Sequence, residues 1–192
     1  MIQNNQLVTK EELKRYLNWN ESTTAVSDDL FDQIINSASD IIEHYCNSKI
    51  KLSEVTETVS GNGTDRLFMS NSHITKVTNC KYWDGSTFTD YYTPGEIEQY
   101  LFSSLHVIYN RAENFEEGIF NFQFTYTCGF NPVPEDLKLI CLELCTVLFN
   151  NSSSGDSRVG LISNQQGTFK MFFLDELPRH KNVINKYRLI NV

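Results

Sequence analysis

Cys141 and Cys145 stand four residues apart in a stretch of helical periodicity, a spacing that can present two thiolates to one metal ion. No CxxC motif or second ligand pair accompanies them. They also fall on the apolar stripe Leu137, Ile140, Cys141, Leu144, Cys145 and Leu148, where cysteine serves as a small hydrophobic residue, and the sequence favours that second role. The four histidines, His44, His73, His106 and His180, are dispersed, and His44 and Cys46 point to different faces of any helix that holds both. The carboxylate pairs Asp28/Asp29, Glu116/Glu117 and Asp175/Glu176 have the chemistry for proton transfer, but adjacent acids more often open helices or coat loops. Phosphate loops, HExxH, GxSxG and EF-hand motifs are absent. Gly61-Asn62-Gly63 resembles part of a dinucleotide fingerprint, yet position 66 is arginine and no helix follows, so a hairpin turn is expected. The residues give no positive sign of an enzyme, a metal or a cofactor.

Charge is distributed more tellingly. The chain has 192 residues with 24 acidic against 16 basic side chains, a net charge of −8. That balance argues against a general nucleic-acid coat, which draws on clustered lysine and arginine. Yet residues 178–192 carry Arg179, Lys181, Lys186 and Arg188 and no acid, whereas residues 84–117 hold seven acids against Arg111. The basic segment either complements a helix dipole on a solvated face or docks on an acidic partner surface, including that of a neighbouring copy.

The elements that position these groups follow from periodicity. Thr9-Lys10-Glu11-Glu12 is a capping-box pattern opening a short helix to Leu17. Ser27 is placed to cap a second helix, in which Leu30, Phe31, Ile34, Ile35, Ala38, Ile41, Ile42 and Tyr45 recur at helical spacing to about Asn47. Strand signals then take over. Val55–Ser60 alternates, Val77–Trp83 and Thr87–Tyr92 flank a hairpin at Asp84-Gly85, and Phe120, Phe122, Phe124 and Tyr126 form one aromatic face expected to be buried. Residues 94–118 leave room for one strand near His106–Tyr109. Pro134, Glu135 and Asp136 restart a helix expected to end near Phe149. An Asn/Ser/Gly-rich segment, a strand at Thr168–Leu174 and a last helix from Pro178 using Val183, Ile184 and Tyr187 complete the chain.

Helices grouped around a central block of strands predict an α+β fold: a small helical bundle built from two N-terminal helices, a third helix and a C-terminal helix, with an inserted antiparallel β module. The expected organisation is a single domain over residues 1–192. Its helical parts are about 9–47, 134–149 and 178–188, its β-rich insertion about 55–130, and its flexible loop 150–168. Five cysteines in no paired pattern fit reduced thiols, and neither a signal-peptide core nor a bilayer-length apolar run is visible.

Several phrases, in order, resemble the bacteriophage head–tail connector family, the head-completion adaptors. Val8–Leu17 is similar to its opening helix, and Asp28–Cys46 to its long second helix. Ser60–Leu67 resembles its glycine-rich turn, and His73-Ile74-Thr75-Lys76-Val77 a passage where members often carry Pro-Ile, with His73 in place of the proline. Tyr126–Phe130 with Pro134–Lys138 resembles the approach to the third helix. Arg158-Val159-Gly160 and Leu177–Arg188 resemble the C-terminal portion. The resemblance implies a virion structural protein, made in the host cytoplasm and placed in the neck between capsid portal and tail. It implies a ring, usually of twelve copies, that extends the DNA exit channel without sequence-specific DNA binding, takes part in genome ejection and offers a platform to a tail or stopper protein. It makes Arg179, Lys181, Lys186 and Arg188 candidates for portal docking and calls for no cofactor and no membrane. Two alternatives stand beside it: another phage neck or tail-completion protein of the stopper type, and a small metal-binding protein or enzyme using Cys141 and Cys145.

Overall fold

The computed structural model of the chain describes residues 5–19, 28–153, 161–163, 169–171 and 178–190. They fall into two compact units. One comprises Met1–Cys46 with Val133–Arg188, the other Asn47–Pro132 with Leu189–Val192. The fold is α+β, and the described strands pair antiparallel.

The first unit is helical. Helix α1 (Lys10–Tyr16) begins at the expected capping box: the Thr9 side chain accepts from the Glu12 amide, and Glu12 accepts from the Thr9 amide at 2.7 Å. Helix α2 (Asp28–Cys46) buries Phe31, Ile34, Ile35, Ala38 and Ile42, and helix α4 (Glu135–Ser153) packs against it with Leu137, Ile140, Cys141, Leu144 and Cys145. The Phe31 and Phe149 rings stack at 5.5 Å, and Trp19 meets both edge-on. Buried Ser39 accepts from the Leu7 amide, tying the segment before α1 to α2. Lys10 and Lys14 reach Asp28, and Lys138 reaches Glu12, so the three helices are also linked by charge. Ile41, expected on the buried stripe, is 40% exposed, because its position falls at the margin of the apolar arc. Helix α4 runs four residues past the expected end. Strands β8 (Leu161–Ser163) and β9 (Phe169–Met171) pair with each other, and only β9 was signalled by the sequence. Ser27, Asp175, Glu176 and most of 150–168 lie outside the described residues.

The second unit holds two sheets. One has the order β1-β7-β3-β4, built from β1 (Ser53–Gly61), β3 (Ile74–Trp83), β4 (Phe88–Asp90) and β7 (Gly118–Cys128). The other has the order β2-β6-β5, built from β2 (Arg66–Phe68), β5 (Leu101–Ser104) and β6 (Val107–Asn110). The Asp84-Gly85 signal is a hairpin turn, with Trp83 opposite Phe88 and Gly85 at φ +103°. Gly61–Asp65 is not one. The strand before it pairs with β7 and the strand after it with β6, so the turn carries the chain from one sheet to the other. Asn62, Gly63 and Thr64 specify a local bend; which strands pair is decided by burial elsewhere.

The stretch that allowed one strand contains a helix and two strands. Helix α3 (Pro94–Tyr100) starts on Thr93, whose amide donates to Glu96 at 2.8 Å, and buries Ile97. Strands β5 and β6 follow as a hairpin. The core gathers Leu67, Ile74, Cys80, Ile108, Phe115, Phe122, Phe124 and Tyr126. Phe120 does not join it. A bulge between Val59/Phe122 and Gly61/Gly118 breaks the alternation, and Phe120 turns outward with 63% of its surface exposed.

Candidate docking surface

The basic segment is positioned by helix α5 (Pro178–Ile184) and the turn after it. Ile184 is fully buried, and His180, 5% exposed, meets the Glu143 carboxylate of α4 at 2.5 Å. Beyond the helix, the Tyr187 hydroxyl donates to both Asp136 oxygens, at 2.9 and 3.0 Å. Burial and the Asp136 carboxylate push the Tyr187 hydroxyl pKa up to about 12, so it remains a donor at any ordinary pH. Tyr45, near the end of α2, donates to the Asn185 side chain at 3.0 Å, and the Arg188 guanidinium lies 5.2 Å above its ring.

These contacts fix the backbone through which the cations are presented. Lys181, Lys186 and Arg188 are exposed, while the Arg179 side chain lies outside the described residues. The seat is built from residues distant in sequence: Tyr45 and Asn185 are 140 positions apart, and Asp136 and Tyr187 are 51 apart. Sequence periodicity marked Tyr45 as a core position and gave no sign of the His180–Glu143 pair. Tyr187, expected on the last helix, anchors the turn that follows it instead.

His180 therefore acts as the peg of this segment. His180→Ala removes one partner of a nearly buried, charge-capable hydrogen bond, at a cost of about 1–3 kcal/mol. The expected result is faster amide hydrogen exchange over α5 with the protection of α2 unchanged. Equal loss across both helices would contradict a local peg.

The other candidates for chemistry are occupied structurally. Cys141 and Cys145 are both fully buried, and the Ser39 hydroxyl lies 3.9 Å from the Cys141 sulfur. The hydrogen bond with Cys141, and then burial, hold the Cys145 thiol far above its ordinary range, and burial pushes Cys46 up to about 12. Among the described residues no three His, Cys, Asp or Glu side chains converge on a metal position. Asp28 pairs with Lys10 and Lys14, which hold its carboxyl below the usual range. Glu116 accepts from Tyr82. In the acidic stretch, Asp84 caps its turn through the Ser86 and Thr87 amides, Glu96 caps α3, and Glu98 pairs with Lys76 at 2.8 Å. No helix among the described residues is long and apolar enough to cross a membrane.

Comparison with known proteins gives a consistent picture. The family model described as head completion protein matches residues 6–189. Among solved structures, a chain in the virion of a native gene transfer agent (GTA) particle superposes with a TM-score of 0.68 at 11% identity, covering 98% of this chain and 92% of the other. A chain from the neck of an empty GTA particle, computed with C6 symmetry, gives 0.65 at 13% identity over 98% and 92%. A third, from the neck of a native GTA particle computed with C12 symmetry, gives 0.63 at 13% identity over 100% and 93%. No curated protein matches the sequence.

Proposed function

Because the chain belongs to the head completion protein family, we propose that it is a structural component of the virion neck, a ring adaptor between portal and tail that extends the DNA exit channel. The observation that carries this reading is the family match over residues 6–189, which spans both compact units. The likeness to chains from C6- and C12-symmetric GTA necks supports a ring, proposed here as twelve copies. The role is assembly rather than catalysis, and residues 1–192 act as one connector domain with the β-rich part of about 55–130 as an insertion.

Physical chemistry supports the proposed roles of the surfaces. Copies of one chain close a ring through head-to-tail contacts, which need two different complementary patches on each copy. A conduit for DNA works best when it does not grip phosphates, because each lysine or arginine contact adds affinity, and the net charge of −8 suits that role. The cations Arg179, Lys181, Lys186 and Arg188 form the portal-docking surface, with the remaining exposed loops available to a tail or stopper protein.

The test is genetic. Removing the chain from the phage or prophage that encodes it should leave DNA-filled heads that do not join tails, with infectivity restored by supplying the chain in trans. Tailed, infectious particles formed at the normal yield without it would overturn the reading.

A further inference from the structure

The start of β7 carries an arrangement that folding alone does not call for. Ile119 and Phe120 are 86% and 63% exposed, side by side, at the outer surface of the β module. Phe120 holds φ at +49°, a conformation that glycine and asparagine adopt readily and that a bulky aromatic residue rarely does. The conformation is secured by neighbours. The Phe120 amide donates to Ser60 at 3.0 Å, the Gly61 amide donates to the Asn121 side chain at 2.7 Å, and the Asn121 amide group donates to the Glu116 carbonyl at 3.0 Å. Three hydrogen bonds thus keep two apolar side chains projected into solvent on a rigid bulge. Strain maintained in this way is characteristic of functional positions.

The same module carries a groove with an aromatic wall. This groove of about 350 Å³ is lined by Phe102, Tyr109, Arg111 and Ala112 and also by the acids Asp65 and Glu113. Phe102 and Tyr109 stack at 5.0 Å and the Arg111 guanidinium lies 4.4 Å above Phe102. Asp65 pairs with Arg66 and Glu113 accepts from the Tyr91 hydroxyl, which leaves Arg111 as the groove's available charge. The exposed Glu117 flanks the bulge and is not paired with a cation among the described residues, and the exposed Arg111 at the groove is not paired with an acid among them.

We propose that the Ile119–Phe120 bulge of one copy inserts into the Phe102–Tyr109–Arg111 groove of the next, with Glu117 meeting Arg111, as a head-to-tail contact of the ring. The inference rests on the ring reading above and names its contact. Two unlike patches on one chain are what a cyclic, head-to-tail assembly requires. An aromatic anchor in a groove with a flanking charge pair has the anatomy of an energetic hot spot.

The test places a photo-crosslinking benzophenone amino acid at position 120 in the chain expressed during phage growth. Purified particles are irradiated, and the products are mapped by mass spectrometry together with the copy number of the chain. The expected product is a covalent homodimer linking residue 120 to the peptide that contains residues 102–112. Particles with a full complement of the chain but with crosslinks only to another virion protein, or with none, would overturn the contact while leaving the ring intact. Particles lacking multiple copies of the chain would overturn the ring reading and this contact with it. Further variants separate assembly from folding. Phe120→Asn, suited to positive φ, should keep or raise the melting temperature while reducing incorporation at least tenfold. Glu117→Arg and Arg111→Glu should each impair incorporation, and the double variant should restore it. Phe120→Asn particles with normal incorporation would contradict the proposal.

Discussion

Phe122→Ala lowers the stability of the β module by about 3–5 kcal/mol, whereas Phe120→Ala, two residues earlier on the same strand, changes it by less than about 1 kcal/mol. Phe122 is fully buried. Its ring centroid lies 5.2 Å from each of Tyr82, Tyr91 and Phe115, and the Tyr91 and Phe115 contacts are edge-to-face. Gly61 packs so close that a Cβ there would stand 2.9 Å from the Phe122 ring and 1.8 Å from the Glu116 carbonyl oxygen. Backbone on one side and three rings on the others leave little freedom to collapse, so the variant retains most of the cavity it creates. A loss of this size is a large part of the 5–15 kcal/mol that holds a typical domain. Urea melts of the two variants, followed by circular dichroism and tryptophan fluorescence, provide the check. Similar midpoint shifts for both would mean that the bulge does not turn Phe120 out of the core.

The second large effect concerns binding. The proposed docking surface predicts that replacing Arg179, Lys181, Lys186 and Arg188 together by glutamate weakens portal binding at least about a hundredfold. The reason is that each reversal substitutes repulsion for attraction across the contact, and juxtaposed like charges cost several kcal/mol. The fold should survive. The seat of this segment depends on Ile184, His180 with Glu143, and Tyr187 with Asp136, none of which is altered. Losing the Arg188 guanidinium above Tyr45 removes about 0.5–1 kcal/mol, a small part of the total. Co-purification of tagged portal with the variant, at two salt concentrations, reads the effect. Unchanged portal binding by a folded quadruple variant would remove the basic segment from the docking surface.

The legible parts of the chain were those in which local pattern and burial agree. Thr9 with Glu12 specified the start of α1, and the repeat from Leu30 to Tyr45 gave α2, because each relies on interactions within about one turn. Asp84-Gly85 gave its hairpin for the same reason. Gly61–Asp65 misled because a turn-forming sequence says nothing about which strand lies beside which. Alternation misled at Phe120 because a bulge resets the phase of the pleat, and its cause, Asn121 bonded to Gly61, links residues 60 positions apart. The cations of residues 179–188 were visible as a charge run, but their seat on Tyr45, Asp136 and Glu143 was not, since those partners come from two other helices. Helix α3 was hidden in an acidic stretch with a single buried apolar side chain, Ile97, too few to mark a face.

The proposed multi-copy ring of the virion neck is tested by the abundance of the chain relative to the portal in purified particles. Virions are isolated, separated from free protein, and both chains are quantified by mass spectrometry against isotope-labelled peptides. A ring predicts a near-equal ratio of chain to portal, maintained in both DNA-filled and emptied particles. Absence of the chain from intact virions, or a trace amount far below the portal, would contradict it.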